Sequence, residues 1–80
     1  MKITTYKVID HDEQLTIYES LSVRVQIKKG LIITVKVDTE DGEVMWWSGM
    51  TKSDQKIIDK LTPIQRADIR ELLENNNLEL

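Results

Sequence analysis

The chain has 80 residues, with 11 Lys and Arg against 14 Asp and Glu, one His, no Cys and a formal net charge of −3. This length holds one small domain, residues 1–80, which buries roughly 60–65% of the surface of its unfolded chain and excludes a deep cleft between domains. Without Cys, neither a disulfide framework nor a thiolate metal site can form, and we expect a cytoplasmic protein.

Composition also bounds the class of protein. Hydrophobic residues make up 40% and charged residues 31% of the chain, the balance of a folded globular domain. The longest stretch free of charge, between Glu43 and Lys52, has eight residues, whereas roughly 20 are needed to span a bilayer. We therefore expect no membrane segment and no export signal. The acidic balance argues against a general affinity for nucleic acid.

The first predicted strand, near residues 2–9, is apolar and aromatic, but its apolar residues fall on both parities. A polar connection follows at residues 10–13. The next segment keeps one apolar phase from Leu15 into Leu21. It is either one long bent strand or two strands with a bend at residues 18–20.

The clearest pattern is a hairpin built from residues 21–28 and 31–38, in which apolar and polar residues alternate. Residues 28–30 form the connection, and Gly30 supplies its left-handed conformation. The predicted opposite pairs are Ile27 with Leu31, Val25 with Ile33, and Val23 with Val35. All of these residues then lie on one side of the sheet, which we name the core face; the other side is the outer face.

A second hairpin turn at residues 39–42 leads into a last strand at residues 43–48. Loops of two and of four residues give the same alternation along this strand. The predicted core-face residues are Val44 and Trp46, and the predicted outer-face residues, beside Ile32, are Met45 and Trp47.

After Gly49 the apolar spacing becomes that of helices, at about residues 52–61 and 63–75. Thr51 and Thr62 each begin a capping-box pattern, and Pro63 stands at the first helical position. With strands over about residues 2–48, this predicts an α+β domain. Its antiparallel β-meander of four to five strands is followed by two C-terminal α-helices packed on one face.

Residues for catalysis or metal binding are sparse. His11 lies beside Asp10, Asp12 and Glu13, but adjacent residues of one loop rarely converge on a metal ion. A chain with three Gly contains no nucleophile elbow, phosphate-binding loop or dinucleotide fingerprint. We therefore expect no enzyme activity, no cofactor and no metal site.

Basic residues recur every four positions along both predicted helices. They are Lys52, Lys56 and Lys60 on the first helix, and Arg66 and Arg70 on the second. Such a stripe can contact a phosphate backbone, which makes a nucleic-acid-binding regulator one alternative function. Acidic residues lie between these cations, however, and this mixture is typical of a solvated helix face.

The predicted outer face carries residue types that are enriched at the centres of protein interfaces. The candidates are Trp47, Met45, Ile32 and Tyr18, with Arg24 and Lys36 at the border. Two helices can cover only one face of the sheet, and the aliphatic core face gains more from being buried. We therefore expect the outer face to be exposed and to bind another protein. The competing explanations are that the two helices cover this face instead, that Lys36 covers the Trp47 ring, and that a structural homodimer buries this face.

Met1-Lys2, Tyr6, His11 and the slightly shifted stretch Ile17-Tyr18-Glu19 resemble the small phage-encoded anti-CRISPR inhibitors over the first quarter of the chain. The predicted strands and helices are similar in format to a short type I inhibitor of this group. The resemblance implies that sheet tyrosines and acidic side chains dock onto a subunit of a CRISPR effector, with Tyr6 and Tyr18 as contacts. It also implies an inhibitor or adaptor from a phage or mobile element, acting in the host cytoplasm.

Overall fold

Four antiparallel strands followed by two helices make up residues 1–14 and 16–78, the part of the chain that a computed structural model describes; for residues 11–13 it describes the backbone alone. This confirms the predicted α+β class. The strands are β1 (Lys2–Glu13), β2 (Thr16–Lys28), β3 (Leu31–Glu40) and β4 (Glu43–Gly49), and the helices are α1 (Lys52–Asp59) and α2 (Pro63–Asn75). The sheet order is β1-β2-β3-β4, so β1 and β4 are its edges.

The hairpin of β2 and β3 has the predicted register at its centre. Val25 lies opposite Ile33, and Val23 lies opposite Val35. All four side chains are buried, because the alternating branched residues share the core face. β2 runs without interruption over 13 residues, so the segment left open by the sequence is one strand rather than two.

The end of this hairpin differs from the prediction. Lys28, rather than Ile27, lies opposite Leu31, and the register shifts between Gln26 and Lys28. Ile27 is therefore the extra residue of a β-bulge. The turn is two residues long, and Gly30 has a φ of +83° that an L side chain rarely adopts.

A second bulge explains the irregular alternation of β1. Ile3 lies opposite Val25 and Tyr6 opposite Val23, with a register shift between Ile3 and Thr5. Residues opposite each other in an antiparallel pair share a face, so Ile3 and Tyr6 both point to the core face although their parities differ.

Both helices cover the core face. Helix residues Ile58, Ile69 and Leu73 are buried in one cluster with the strand residues, and each such side chain contributes about 1.5–3 kcal/mol when fully buried. Leu78, just after α2, is only 1% exposed. The buried apolar residues are Leu21, Val23, Val25, Ile33, Val35, Val37, Val44, Ile58, Ile69, Leu73 and Leu78. Residues 79–80 lie outside the described residues.

Local hydrogen bonds fix where the helices begin. The Thr62 side chain accepts from the backbone N–H of Gln65 at 3.1 Å, and the Gln65 side chain accepts from the Thr62 N–H at 2.9 Å, which confirms the predicted capping box. At α1, Thr51 accepts from the Asp54 N–H at 3.2 Å. The Asp54 carboxylate accepts from the N–H of Thr34 at 3.2 Å. Asp54 thus fastens the start of α1 to β3.

Side chains of the helices also close the free edge of β4. The Gly49 N–H donates to the Gln55 side chain at 2.8 Å, and the Arg70 guanidinium donates to the Val44 carbonyl at 2.7 Å. These two bonds use backbone groups that do not pair with β3. In the described residues, neither helix has the length and apolar character needed to cross a membrane.

Candidate protein-docking face

A third bulge, in β4, decides which tryptophan lies on the outer face. Asp38 lies opposite Trp46 and Val37 opposite Trp47, with a register shift just before this pair along β4. Met45 is the extra residue, so the alternation reverses at that point. The prediction of Trp46 on the core face and Trp47 on the outer face is therefore wrong.

Trp47 belongs to the interior side of the sheet. Its ring is partly buried against the core cluster. It also lines a cavity of about 370 Å³ between β4 and the helices, together with Ile58, Asp59 and Arg66. Trp47 is consequently removed from the candidate docking residues, and Trp46 replaces it.

Trp46 joins other large residues at one end of the outer face. Ile9 lies opposite Ser20 on β1 and β2, and Trp46 lies opposite Asp38 on β4 and β3. Tyr18 lies two residues before Ser20 on β2 and therefore shares the outer face. Tyr18 is 48% exposed and Trp46 37% exposed. We name Ile9, Tyr18 and Trp46 the aromatic end.

Two further observations define the aromatic end. Ser20 has no exposed surface although its side chain is on the outer face, so neighbouring side chains cover it. Met45, the bulge residue next to Trp46, is 51% exposed. At the aromatic end, large accessible side chains therefore surround the fully buried Ser20. This combination is typical of the centre of a protein interface.

Ile32 does not belong to this group. It lies on the outer face, opposite Gln26, and is 42% exposed. Six residues of β3 separate it from Asp38, a distance of about 20 Å at about 3.3 Å per residue. The expectation that Ile32 is a neighbour of Met45 and of the outer-face tryptophan is wrong, because the strand carries it to the opposite end of the sheet.

Cations occupy the middle of the outer face. Lys7 lies opposite Ser22, Lys36 lies on the other side of Ser22, and Arg24 follows along β2. Within the described residues, none of these three cations forms an ion pair. We name Lys7, Arg24 and Lys36 the basic centre. Thr34 and Thr5 complete a shallow depression of about 310 Å³ beside Lys7 and Arg24.

The basic centre and the aromatic end meet at Lys36. Its Nζ lies 5.6 Å from the centroid of the Trp46 ring, within the range of a cation–π interaction. The sequence left open that Lys36 covers the Trp47 ring; the bulge places Lys36 over Trp46 instead. The exposed ring is thus held beside a positive charge.

Tyr6, the remaining candidate, lies on the core face of the edge strand β1. The helices leave this part of the face open, and the ring is 54% exposed. Tyr6 and Tyr18 therefore point to opposite sides of the sheet. A single flat partner surface cannot contact both rings.

The basic residues of the two helices do not form one continuous stripe of free cations, because both arginines are bonded within the chain. Lys52, Lys56 and Lys60 are exposed. The Arg66 guanidinium donates to the Leu61 carbonyl at 3.4 Å. Arg70 bonds to β4 and to its own helix, where its Nε lies 3.3 Å from the Glu74 carboxylate. Arg70 therefore has a structural role at the β4 edge.

Among the described residues, no three His, Asp or Glu side chains come together as a group that could hold a metal ion. The side chains of His11, Asp12 and Glu13, which the sequence marks as the acidic cluster around the histidine, lie outside the described part.

No protein-family model, curated protein sequence or solved structure matches the chain.

Proposed function

We propose that this chain is a protein-binding module without catalytic activity, which docks onto its partner through the outer face of the sheet. The aromatic end supplies the contact area that loses water on binding, and the basic centre orients the partner. The observation that carries this proposal is the position of Trp46, an exposed ring on a sheet face that neither helix covers.

The chemistry of the aromatic end supports this role. Tyr and Trp bury large areas with few rotatable bonds, and truncating such a side chain at an interface centre commonly costs about 2 kcal/mol or more. Trp46 and Tyr18 together offer this area around the packed Ser20. Both residues lie on paired strands of the sheet, whose backbone is already ordered by hydrogen bonds, so little ordering of the backbone opposes binding.

Charge indicates the kind of partner. The whole chain has a net charge of −3, yet Lys7, Arg24 and Lys36 lie together without acidic partners among the described residues. A partner that places carboxylates against the basic centre is complementary to it, and such complementarity raises the association rate and fixes orientation. We therefore expect an acidic protein surface with an apolar pocket beside it.

The resemblance of the first residues to anti-CRISPR inhibitors supports one biological setting for the proposal. In that setting the chain is an inhibitor or adaptor from a phage or mobile element, and its partner is a subunit of a host defence complex. Tyr18 is the contact common to this setting and to the outer face.

A comparative capture experiment tests the proposal. The immobilised wild type, a Trp46→Ala/Tyr18→Ala variant and a Lys56→Ala/Lys60→Ala variant are each exposed to one bacterial lysate and to a purified type I CRISPR effector complex. We expect a protein retained by the wild type and by the lysine variant, with the affinity of the aromatic variant lowered at least about 30-fold, as the loss of about 2 kcal/mol requires. Equal retention by the wild type and the aromatic variant would overturn the proposal.

The same experiment distinguishes protein docking through the outer face from nucleic-acid binding through the helix lysines. Binding through Lys52, Lys56 and Lys60 predicts nucleic acid on the wild-type resin, its loss from the lysine variant and a steep fall of affinity with salt. Docking through Trp46 and Tyr18 predicts instead that the lysine variant keeps its partner and the aromatic variant loses it, at every salt concentration. The structure favours the second outcome, because Arg70 is engaged with β4 and Arg66 with the end of α1.

A further inference from the structure

Ser22 is a nearly buried polar residue in the middle of the open outer face. It lies opposite Lys7 of β1 on one side and opposite Lys36 of β3 on the other. Both helices pack on the core face, yet Ser22 is only 9% exposed, because the longer side chains around it cover it. It lines the shallow depression beside Lys7 and Arg24.

The Ser22 hydroxyl has no hydrogen-bond partner among the described residues. In that part of the chain, every side-chain oxygen or nitrogen that is closed to solvent has a partner. The Ser22 oxygen is therefore still accessible from the depression. A nearly buried residue with an unused donor calls for an explanation, and a group bound in the depression would supply one.

Two more hydroxyls and two cations line the same depression. Thr5 and Thr34 lie opposite Arg24 on its two sides. The Cα atom of Lys7 is about 5 Å from that of Ser22, across one strand pair, and Arg24 is about 7 Å away along β2. Both cationic side chains can therefore reach a group that is held by the hydroxyls. We name these five residues the Ser22 site.

The positive charge of the Ser22 site is not balanced within the described part of the chain. There, neither Lys7 nor Arg24 forms an ion pair. Two acidic residues lie near its border but do not line it. Asp38 is on the outer face of β3 beside the aromatic end, and the Asp54 carboxylate accepts from the backbone of β3. A bound group with two negative charges would neutralise the two cations.

We propose that the Ser22 site binds a phosphate monoester. Such a group carries a charge of about −1.5 to −2 at neutral pH and has three strong acceptor oxygens. A carboxylate carries one charge on two oxygens. The two cations match the charge of the phosphate, and the hydroxyls of three adjacent strands offer one donor for each of its terminal oxygens. The Arg24 guanidinium adds charge-assisted hydrogen bonds.

The position of the Ser22 site indicates which molecule carries the phosphate. Lys36 lies opposite Ser22 and reaches over Trp46, so it connects the site to the aromatic end. A protein that covers Trp46 and Tyr18 would bring its neighbouring side chains to Ser22. We therefore assign the phosphate to a phosphorylated Ser or Thr side chain of the docking partner, and this assignment rests on the proposed function.

A titration followed in the amide NMR spectrum tests the site without a partner. O-phospho-L-serine should shift the signals of Ser22, Thr5 and Thr34 to saturation, with a Kd on the order of 1 mM for so small a ligand. L-aspartate, which replaces the phosphate with a carboxylate, should bind at least about 10-fold more weakly. Absence of saturation with O-phospho-L-serine, or equal affinity for the two ligands, would overturn the proposal.

Variants separate the hydroxyl from the cations. Ser22→Ala keeps both charges and should lower the affinity for O-phospho-L-serine at least about 10-fold, as the loss of a hydrogen bond to a charged group requires. Lys7→Gln/Arg24→Gln should abolish saturation. The matched control is Ser48→Ala, since Ser48 lies on the other side of Lys36, outside the depression, and it should bind as the wild type does. Unchanged affinity of Ser22→Ala would contradict the site.

Capture from a lysate tests whether the phosphate belongs to the docking partner. One half of the lysate is treated with a protein phosphatase, and both halves are passed over the immobilised wild type and Ser22→Ala. Retention of the partner should fall with either change. Retention that depends on Trp46 and Tyr18 but on neither change would leave the proposed function intact and overturn the assignment. A single-stranded oligonucleotide that displaces O-phospho-L-serine more strongly as its length grows would overturn it in favour of nucleic acid.

Discussion

Trp46 and Trp47 point to opposite sides of the sheet because neighbouring strand residues alternate, and Met45 decides which of them points where. The bulge at Met45 involves only neighbouring residues of the structure, but the local sequence does not specify it. Nothing in residues 43–48 marks Met45 as unpaired. Its place in the ladder puts Trp47 on the side of the sheet that the helices cover, where the ring packs against the core cluster.

Truncation of the two tryptophans should have unequal effects on stability. Trp47→Ala removes a ring packed on the core and should lower the free energy of unfolding by about 2–3 kcal/mol, somewhat below the cost at a fully buried site. Trp46→Ala removes a ring that is 37% exposed and lies beside Lys36, so it leaves no cavity in the core and should cost less than Trp47→Ala. Urea unfolding followed by circular dichroism measures both values. A larger loss for Trp46→Ala would contradict the β4 register.

At the level of elements, the sequence predicts what short-range rules determine. The Thr62 capping box and the centre of the β2–β3 hairpin depend on residues a few positions apart, and both are confirmed. The three bulges at Thr4, Ile27 and Met45 are not predictable in this way. Each bulge adds one unpaired residue to a strand. The stabilisation that favours it comes from packing against distant elements rather than from the local sequence.

Gly49 shows how closely β4 and α1 approach. A Cβ atom at this position would lie 2.7 Å from the Gln55 Cα, in the backbone of α1, a distance that real Cβ atoms do not show. The requirement is one of space, since Gly49 is not among the glycines with positive φ. Its hydrogen bond to the Gln55 side chain depends on the same close approach.

Gly49→Ala should therefore push α1 away from the sheet and destabilise the fold by about 1–3 kcal/mol, the range of overpacked sites. The neighbouring Ser48→Ala is the control and should change stability by less than about 0.5 kcal/mol. Thermal or urea unfolding of the two variants gives the comparison. Equal stabilities would mean that the helix is not seated against Gly49.

At the scale of the whole molecule, the sequence predicts a sheet with one covered and one open face, because two helices cannot cover both sides. The aliphatic residues of β2 and β3 identify the covered face correctly. The candidate site is predicted only in part. Tyr18, Arg24 and Lys36 lie on the outer face, whereas Trp47 does not, and Ile32 lies at its far end. One inserted residue and the length of a strand account for these errors.

The two tryptophans make the two faces separately measurable, and this gives the most direct test of the account. Trp47→Phe leaves Trp46 as the reporter of the outer face, and Trp46→Phe leaves Trp47 as the reporter of the helix-covered face. Quenching of their fluorescence by the neutral quencher acrylamide compares the accessibility of the two rings. We expect stronger quenching and redder emission when Trp46 is the remaining ring. Stronger quenching of Trp47 would contradict the β4 bulge and, with it, the placement of the docking face.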